Sequence, residues 1–472
     1  MYFAISSLFR DPKSRVILND LSTDWFECPI GVKQGDTISP TLFAIFINDL
    51  VSELNSSGLG VGLETGFKVT SLLYADDIVL LAETEADLQT LLNIVNTWCS
   101  RWRLEVNLLK TNIMHVRKNH TQRSDFNFKF EGKTVDYCDQ YKYLGVTINE
   151  NLNFEKTTNE LCDSAGRALG QIVTKMIKNG GFPLNVYHIL YECCVCSITD
   201  YGSEIFGFKE FVGIEQIHSR AVRAFLGVSK TTSKPGLRSE LGWLEPRSRT
   251  QIRMVRMLHR LCNMPDSRLT KRIFLWDLQL SERSNFSTWS KEARDILARN
   301  NLKEVFTSNL FDAKIVTENL KDILHRKDQL KLMNKCQTQP KLRTYKQITE
   351  FTLDKSYLHK PLTFIQRKSL AKFRLGVLPI RIETGRYERP VKSAIERICK
   401  QCNQQVPEDE VHFLLHCPKH DAIRVIFLPK ITLNDFPNLN DLAKLKYLVN
   451  SPDIVKLTAQ FIIDCFDNRV AD

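Results

Sequence analysis

Two aspartates, Asp76 and Asp77, stand side by side inside the apolar stretch SLLYADDIVLLAE, from Ser71 to Glu83. The pattern reads as a β-hairpin: Leu72, Leu73 and Tyr74 enter, Ala75-Asp76-Asp77 turn, and Ile78-Val79-Leu80-Leu81 leave. Asp favours turns on its own account, because its side chain bonds nearby backbone amides. Two like charges held close at a tip also repel unless a cation neutralises them, so the same pair reads as a metal site.

A second set of metal-binding types lies near the C-terminus, in CKQCNQQVPEDEVHFLLHC. Cys399-x2-Cys402 followed by His412-x4-Cys417 supplies three thiols and an imidazole, a set that closes a tetrahedral shell around a structural Zn²⁺. His416 or His420 stands in range as a substitute for His412. The other cysteines, including Cys193-Cys194-x-Cys196, read as core residues.

The elements that must position the aspartates flank them. Upstream, GVKQGDTISPTLFAIFINDL opens with a polar loop between Gly31 and Gly35. A helix then begins at Ser39-Pro40, with Leu42, Phe43, Ile45, Phe46, Ile47 and Leu50 as its apolar face. A glycine-bearing loop that feeds a helix N-terminus can lie against a phosphate or sugar. Downstream come WCSRWRLEVNLLKTNIMHV, with Asn107, Lys110 and Thr111, and the short strand YKYLGVTI, Tyr141–Ile148.

Charge divides the chain. Residues 1–154 carry 14 Lys and Arg against 19 Asp and Glu, and residues 155–472 carry 51 against 35, giving −5 and +16 within a total of +11. An acidic module followed by a basic body suits cations at a site beside a surface for a polyanion, most simply nucleic acid. Gln216–Arg272 holds 13 basic and 3 acidic residues, with Arg249, Arg253, Arg256 and Arg260 spaced for one helix face and Ile252, Val255 and Leu258 for the other. That face is expected to contact phosphates. Lys321–Cys399 carries 19 basic residues against 7 acidic, with Tyr345, Tyr357, Phe364, Phe373 and Tyr387 interleaved; such rings stack on bases or fill a core.

At 472 residues and 43% hydrophobic content the chain has length and apolar residues for several packed domains, which excludes a disordered or fibrous protein. Thirteen irregularly spaced cysteines and an opening MYFAISSLFRDPK without a basic, cleavable leader point to an intracellular chain, in nucleus or cytoplasm. No apolar run reaches the roughly 20 residues that span a bilayer.

In order and spacing, the four N-terminal segments resemble the palm of reverse transcriptases from LINE-type non-LTR retrotransposons. The resemblance implies an α+β fold and a partial palm over 1–150. It also implies a helical thumb-like region over 151–275, to which Thr199–Phe208, Ile214–Val228 and Leu241–Pro246 are similar, and a basic helical linker over 276–395. A zinc knuckle over 396–425 and a helical tail over 426–472 complete the expected division. Asp76 and Asp77 then match the catalytic Mg²⁺ ligands, and Gln34, Gly35, Ser39, Pro40 and Lys110 the positions that meet template and incoming nucleotide. The implied reaction is RNA-templated DNA synthesis primed at a nicked target, with an RNA template, a DNA target or primer and deoxynucleotides as partners and no membrane. In the family a third carboxylate, on a strand before the Gly31 loop, completes a two-metal site. Asp11, Asp20, Asp24 and Glu27, the acids upstream of that loop, do not fit its pattern, and the chain matches the family from just after that strand. Two of three ligands are therefore expected here, with no polymerase activity from the chain as it stands. A non-catalytic RNA- or DNA-binding remnant is the alternative.

Overall fold

A computed structural model describes residues 2–63, 66–283, 287–302, 312–349 and 356–470. The chain forms two compact units, residues 1–152 and 153–472.

In the first unit a short helix, α1 (Tyr2–Leu8), precedes two nested antiparallel pairs. These are β1 (Lys13–Ser14) with β4 (Phe26–Glu27) and, inside it, β2 (Ile17–Leu18) with β3 (Leu21–Ser22). Helix α2 (Ser39–Ser56) follows the glycine loop, with Pro40 in its first turn, where the missing N–H costs nothing. Then come β5 (Val61–Gly62) with β6 (Lys68–Val69) and β7 (Ser71–Tyr74) with β8 (Asp77–Leu80). Helix α3 (Glu85–Trp102) begins at Thr84, whose side chain accepts from Asp87 N at 3.1 Å, and stops at Arg103, which turns left-handed at φ 56°. Two more pairs end the unit: β9 (Lys129–Phe130) with β10 (Lys133–Thr134), and β11 (Gln140–Tyr143) with β12 (Val146–Asn149).

Its core joins Ile47, Leu50 and Leu54 of α2 to Leu91, Leu92, Val95, Trp98 and Cys99 of α3, closed by Ile113, Phe128, Phe130 and Val135. Trp98 Nε1 donates to Asp49 Oδ1 at 3.0 Å, which fixes the rotation of the two helices against each other. Of the expected α2 face, Ile45 instead points to solvent, 68% exposed, because the buried stripe runs 47, 50, 54.

The antiparallel sheet that the palm resemblance implies is present, among the described residues, as six separate antiparallel pairs, each only two to four residues long. YKYLGVTI is a hairpin, not one strand, because Leu144 (φ 47°) and Gly145 (φ 82°) take the two left-handed positions of a tight turn between Tyr143 and Val146. The Leu at the first position hides this turn from sequence reading, since Asn or Asp normally marks it.

The second unit is helical. Its elements include α4 (Glu155–Lys178), α5 (Leu184–Tyr191), α6 (Val212–Leu226), α7 (Lys234–Leu241), α8 (Pro246–Cys262), α9 (Leu269–Arg283) and α10 (Trp289–Arg299). They continue with α11 (Ala313–Gln337), α12 (Phe364–Arg374), α13 (Asp421–Phe427), α14 (Asp441–Asn450) and α15 (Val455–Val470). One core runs through most of this length, from Ala165 and Leu169 of α4 through Phe225, Trp243, Tyr345, Phe373, Phe413 and Leu414 to Ile462 and Cys465 of α15. A second, smaller core gathers α8, α9, α10 and α11 around Val255, Leu258, Phe274, Leu297 and Leu320. None of the helices among the described residues is long and apolar enough to cross a membrane.

Candidate metal sites and nucleic-acid surface

Leu73 and Ile78 pair across β7 and β8 and pack toward the core of the first unit, so the neighbouring pair, Tyr74 and Asp77, lies on the opposite face. The turn residues are Ala75, at φ 51°, and Asp76; Asp77 is already the first residue of β8. Both carboxylates are exposed. Burial, and behind it the Asp77 charge, raises the Tyr143 phenol of β11 above its ordinary range.

Tyr141 stands two residues before Tyr143, on the same face of β11, and its hydroxyl donates to Lys110 O at 3.1 Å. Lys110 itself sits in a turn organised by Asn107. The Asn107 side chain accepts from Leu109 N at 3.1 Å, while its carbonyl accepts from Lys110 N at 3.0 Å and Thr111 N at 3.1 Å. Tyr141 thus holds β11 to the turn that presents the exposed Lys110, and that turn shares a core with the aspartate hairpin through Leu108, Leu73 and Ile78.

Gln34 and Gly35 lie in an exposed loop; Gly31 (φ 91°) and Gly35 (φ 81°) take left-handed conformations with open space around them. Asp36 Oδ1 accepts from Ile38 N at 3.2 Å and leads the loop into α2. Ser39 is buried with no partner for its hydroxyl among the described residues, while Pro40 is exposed. The loop and the hairpin rest on one core, through Phe43 and Phe46 of α2 and Leu73 and Ile78 of the hairpin.

Asp76 and Asp77 find no third His, Cys, Asp or Glu ligand among the described residues. Asp11, Asp20, Asp24 and Glu27 are all exposed, on or beside the nested strands β1–β4.

The one such cluster among the described residues is Cys399, Cys402, His412 and Cys417, whose ligand atoms all lie within 4.8 Å of one another. A two-residue bridge folds the first pair back: Cys399 N donates to Val406 O at 2.9 Å, and Glu408 N to Arg397 O at 3.1 Å. Gln401 N donates to Cys399 Sγ at 3.4 Å. The second pair closes through a widened turn at His412–His416, where Cys417 N reaches His412 O at 2.7 Å. Cys399 Sγ lies 3.9 Å from Cys417 Sγ, and Cys402 Sγ 3.5 Å from His412 Nε2. A tetrahedral zinc shell calls for about 3.8 Å between sulfurs and about 3.6 Å from sulfur to nitrogen. The donor set and its spacing fit Zn²⁺.

Burial pushes the Cys399 thiol up to about 12 and raises Cys417, and it lowers His412. A neutral imidazole is the form a metal needs, and a divalent ion supplies the charge the buried thiolates lack. The cluster takes His412 and neither alternative. His416 is turned out to Asp441, at 2.8 Å, and His420 is buried against Phe413, with Nε2 3.3 Å from Arg469 Nη2.

The arginine face divides. Arg249 turns inward: Nε and Nη2 reach the two oxygens of Asp200 at 3.1 and 3.2 Å, with side chains 13% and 3% exposed. It is no phosphate-contacting residue, because its donors are committed to a buried carboxylate. Arg253 leans on the same group at 3.7 Å but stays half-exposed, and Arg256 and Arg260 are exposed. Sequence periodicity missed Asp200, although it lies in TDYGSEIFGF, one of the stretches similar to the family's thumb. The other stretches of that region meet nearby. Trp243 stacks on Tyr187 and Tyr191, Tyr191 Oη lies 3.0 Å from His218 Nδ1, and Arg238 links Glu215 and Glu245.

Residues 4–148 match the family model described as reverse transcriptase (RNA-dependent DNA polymerase), so a reverse-transcriptase domain is present in the first unit. The chain resembles the RNA-directed DNA polymerases of non-LTR retrotransposons. It is 28% identical over 203 residues to a probable RNA-directed DNA polymerase from transposon BS of Drosophila melanogaster, covering 41% of this chain and 22% of that protein. Against the Pol polyprotein of the type-1 retrotransposable element R2 of Popillia japonica it is 29% identical over 154 residues, 31% of this chain and 25% of that protein. The RNA-directed DNA polymerase from mobile element jockey of Drosophila funebris is 26% identical over 193 residues, 40% of this chain and 20% of that protein. The chain thus spans about a quarter or less of the length of these relatives.

Proposed function

We propose that this chain is a nucleic-acid-binding portion of a non-LTR retrotransposon RNA-directed DNA polymerase, holding two of the metal-binding carboxylates of the polymerase site. The observation that carries the reading is the packing of the Asp76-Asp77 hairpin, through Leu73 and Ile78, and of the Lys110 turn, through Leu108, on one core. It puts a carboxylate hairpin and a cation on one support, as handling of a nucleotide's phosphates requires.

Asp76 and Asp77 offer hard oxygen ligands of the kind Mg²⁺ takes. Two exposed carboxylates without a third ligand among the described residues do not hold a pair of ions, so no catalytic step is derived through them. Within the chain, Lys110 attracts phosphate, and the open Gln34–Gly35 loop leaves room for template or nucleotide at the head of α2. Arg253, Arg256 and Arg260 meet the phosphates of an RNA template or DNA primer, which adds a salt-dependent, sequence-independent affinity. Cys399, Cys402, His412 and Cys417 hold Zn²⁺ as a structural ion. An intracellular location suits reduced thiols at that site.

The absent third ligand favours a second reading, a non-catalytic RNA- or DNA-binding remnant. Binding of labelled RNA and single-stranded DNA across a salt series tests both. Log affinity falling linearly with log salt is expected, and affinity too weak to measure at low salt refutes the two readings together. Neither reading expects primer extension from this chain; supplying the family's upstream strand and fingers separates them, because extension that Asp76→Ala then abolishes is expected only of a polymerase portion.

A further inference from the structure

A group of cations in the second unit is only partly satisfied. Arg343 gives Nη2 to Glu410 Oε1 at 2.5 Å, but its Nε and Nη1 are buried with no hydrogen-bond partner among the described residues. Glu410 is already engaged, since its other oxygen accepts from Thr344 Oγ1 at 2.8 Å. Two residues before Arg343, Lys341 Nζ lies 2.7 Å from the Tyr387 hydroxyl, 3.2 Å from Glu383 Oε1 and 3.4 Å from Thr231 O. Arg386 donates to Pro340 O at 3.1 Å, and its Nε stands 2.8 Å from Glu383 Oε2. Arg397 packs against Gly385, next to Arg386, and donates from Nη1 to Ile382 O at 2.8 Å and from Nη2 to Lys392 O at 2.9 Å.

The contact with Thr231 brings in the loop that leads to α7. Lys230 and Lys234 are exposed there, and Thr232 is buried, 3% exposed, with no partner for its hydroxyl among the described residues. Lys341, Arg343 and Arg386 thus stand against two carboxylates, Glu383 and Glu410, that already have partners, and the Lys341 contact with Thr231 adjoins the loop that carries Lys230 and Lys234. Unpaired buried guanidinium donors are costly, and an anion with several acceptor oxygens satisfies both the donors and the charge. Beside the group, Tyr387 leaves 62% of its surface to solvent, with the Lys341 ammonium 5.3 Å from its ring centre. An exposed ring flanked by phosphate-seeking cations is the arrangement that takes one unpaired nucleotide, base on ring and phosphate on guanidinium.

We propose that Lys341, Arg343 and Tyr387 form a binding site for a single-stranded nucleic acid, holding one phosphate on Arg343 and Lys341 and one base against Tyr387. This rests on the reading of the chain as a nucleic-acid binder and adds a site separate from the α8 arginines. Occupation by free phosphate would use the same donors but not the ring.

The test uses the full chain and labelled 15-nucleotide RNA and DNA single strands, read by fluorescence anisotropy. Tyr387→Ala should weaken binding about fivefold or more and Arg343→Gln about tenfold. Ultraviolet cross-linking of the RNA to the wild-type chain should label Tyr387. Because Arg343→Gln leaves Glu410 without its guanidinium and can disturb folding, Tyr387→Ala, an exposed position, carries the decision. Wild-type binding with Tyr387→Ala unchanged and no cross-link at Tyr387 overturns this site and leaves the general reading standing. Failure of the wild-type chain to bind either strand overturns both. Thermal stabilisation by inorganic phosphate that Arg343→Gln abolishes, with oligonucleotide affinity unaffected by both variants, identifies a free-phosphate site and likewise overturns the proposal.

Discussion

Arg249 separates two accounts of the basic helix α8. Its guanidinium meets both oxygens of Asp200 at 3.1 and 3.2 Å, in surroundings that leave the carboxylate 3% exposed. At about 3.2 Å and an effective dielectric of about 20, the attraction is about 5 kcal/mol before the cost of burying both ions is subtracted. Removing one partner strands the other, and such truncations cost about 3–5 kcal/mol. Arg249→Gln should therefore lower the melting temperature by about 5–10 °C. Its salt dependence of single-stranded nucleic-acid binding should match the wild type. Arg256→Gln with Arg260→Gln should do the reverse. Removing two cations from the phosphates reduces the slope of log affinity against log salt by about 1.4, while exposed substitutions leave stability within about 0.5 kcal/mol. Melting curves and salt titrations on the same preparations read both quantities. A flattened slope with unchanged melting in Arg249→Gln would refute the inward assignment.

Three other outcomes follow from the geometry. Metal analysis should find one zinc per chain, and Cys402→Ser should lose it. Because Phe413 and Leu414 of the ligand segment belong to the main core of the second unit, circular dichroism should show a lowered melting temperature for the helical body, not a change confined to the knuckle. Burial raises Glu245 to about 7, against its partner Arg238, so the folded state holds that proton between about 4.5 and about 7 while the unfolded state releases it. Stability from this group accordingly falls as pH rises through that window. Burial depresses His218, whose contribution has the opposite sign and fades as pH drops below 6.5, so the denaturation difference between wild type and Glu245→Gln is the quantity to plot. Tyr141→Phe should loosen the Lys110 turn, costing about 1 kcal/mol of stability for one hydrogen bond and lowering nucleotide or RNA affinity by up to about fivefold. Equal affinities for the two proteins would count against the β11 tie.

The aspartate hairpin was legible because two carboxylates between apolar runs admit few local structures, and the Cys399–Cys417 ligand cluster because thiol spacing encodes its own turn. What sequence reading lost were the partners. Arginine periodicity located the face of α8, but Asp200, which captures Arg249, stands 49 residues earlier in the chain. The choice among His412, His416 and His420 hangs on the widened turn at 412–416 and on Asp441, neither of which residue spacing reveals. Leu144 concealed a hairpin because a β-favouring apolar residue occupies a left-handed position. The cation group around Arg343 is assembled from segments near residues 231, 341 and 386, which composition shows only as a diffuse basic excess.

Asp76 and Asp77 have no third ligand among the described residues, so the proposed polymerase site is incomplete. Primer extension on an RNA template tests it directly, with the purified chain, Mg²⁺ or Mn²⁺, and Asp76→Ala as the control for contaminating polymerase. The account predicts no extension above the level of the Asp76→Ala protein with either ion, from a chain that binds the template-primer. Extension by the wild type that disappears in Asp76→Ala would contradict it, and would mean that another acid of this chain supplies the third ligand.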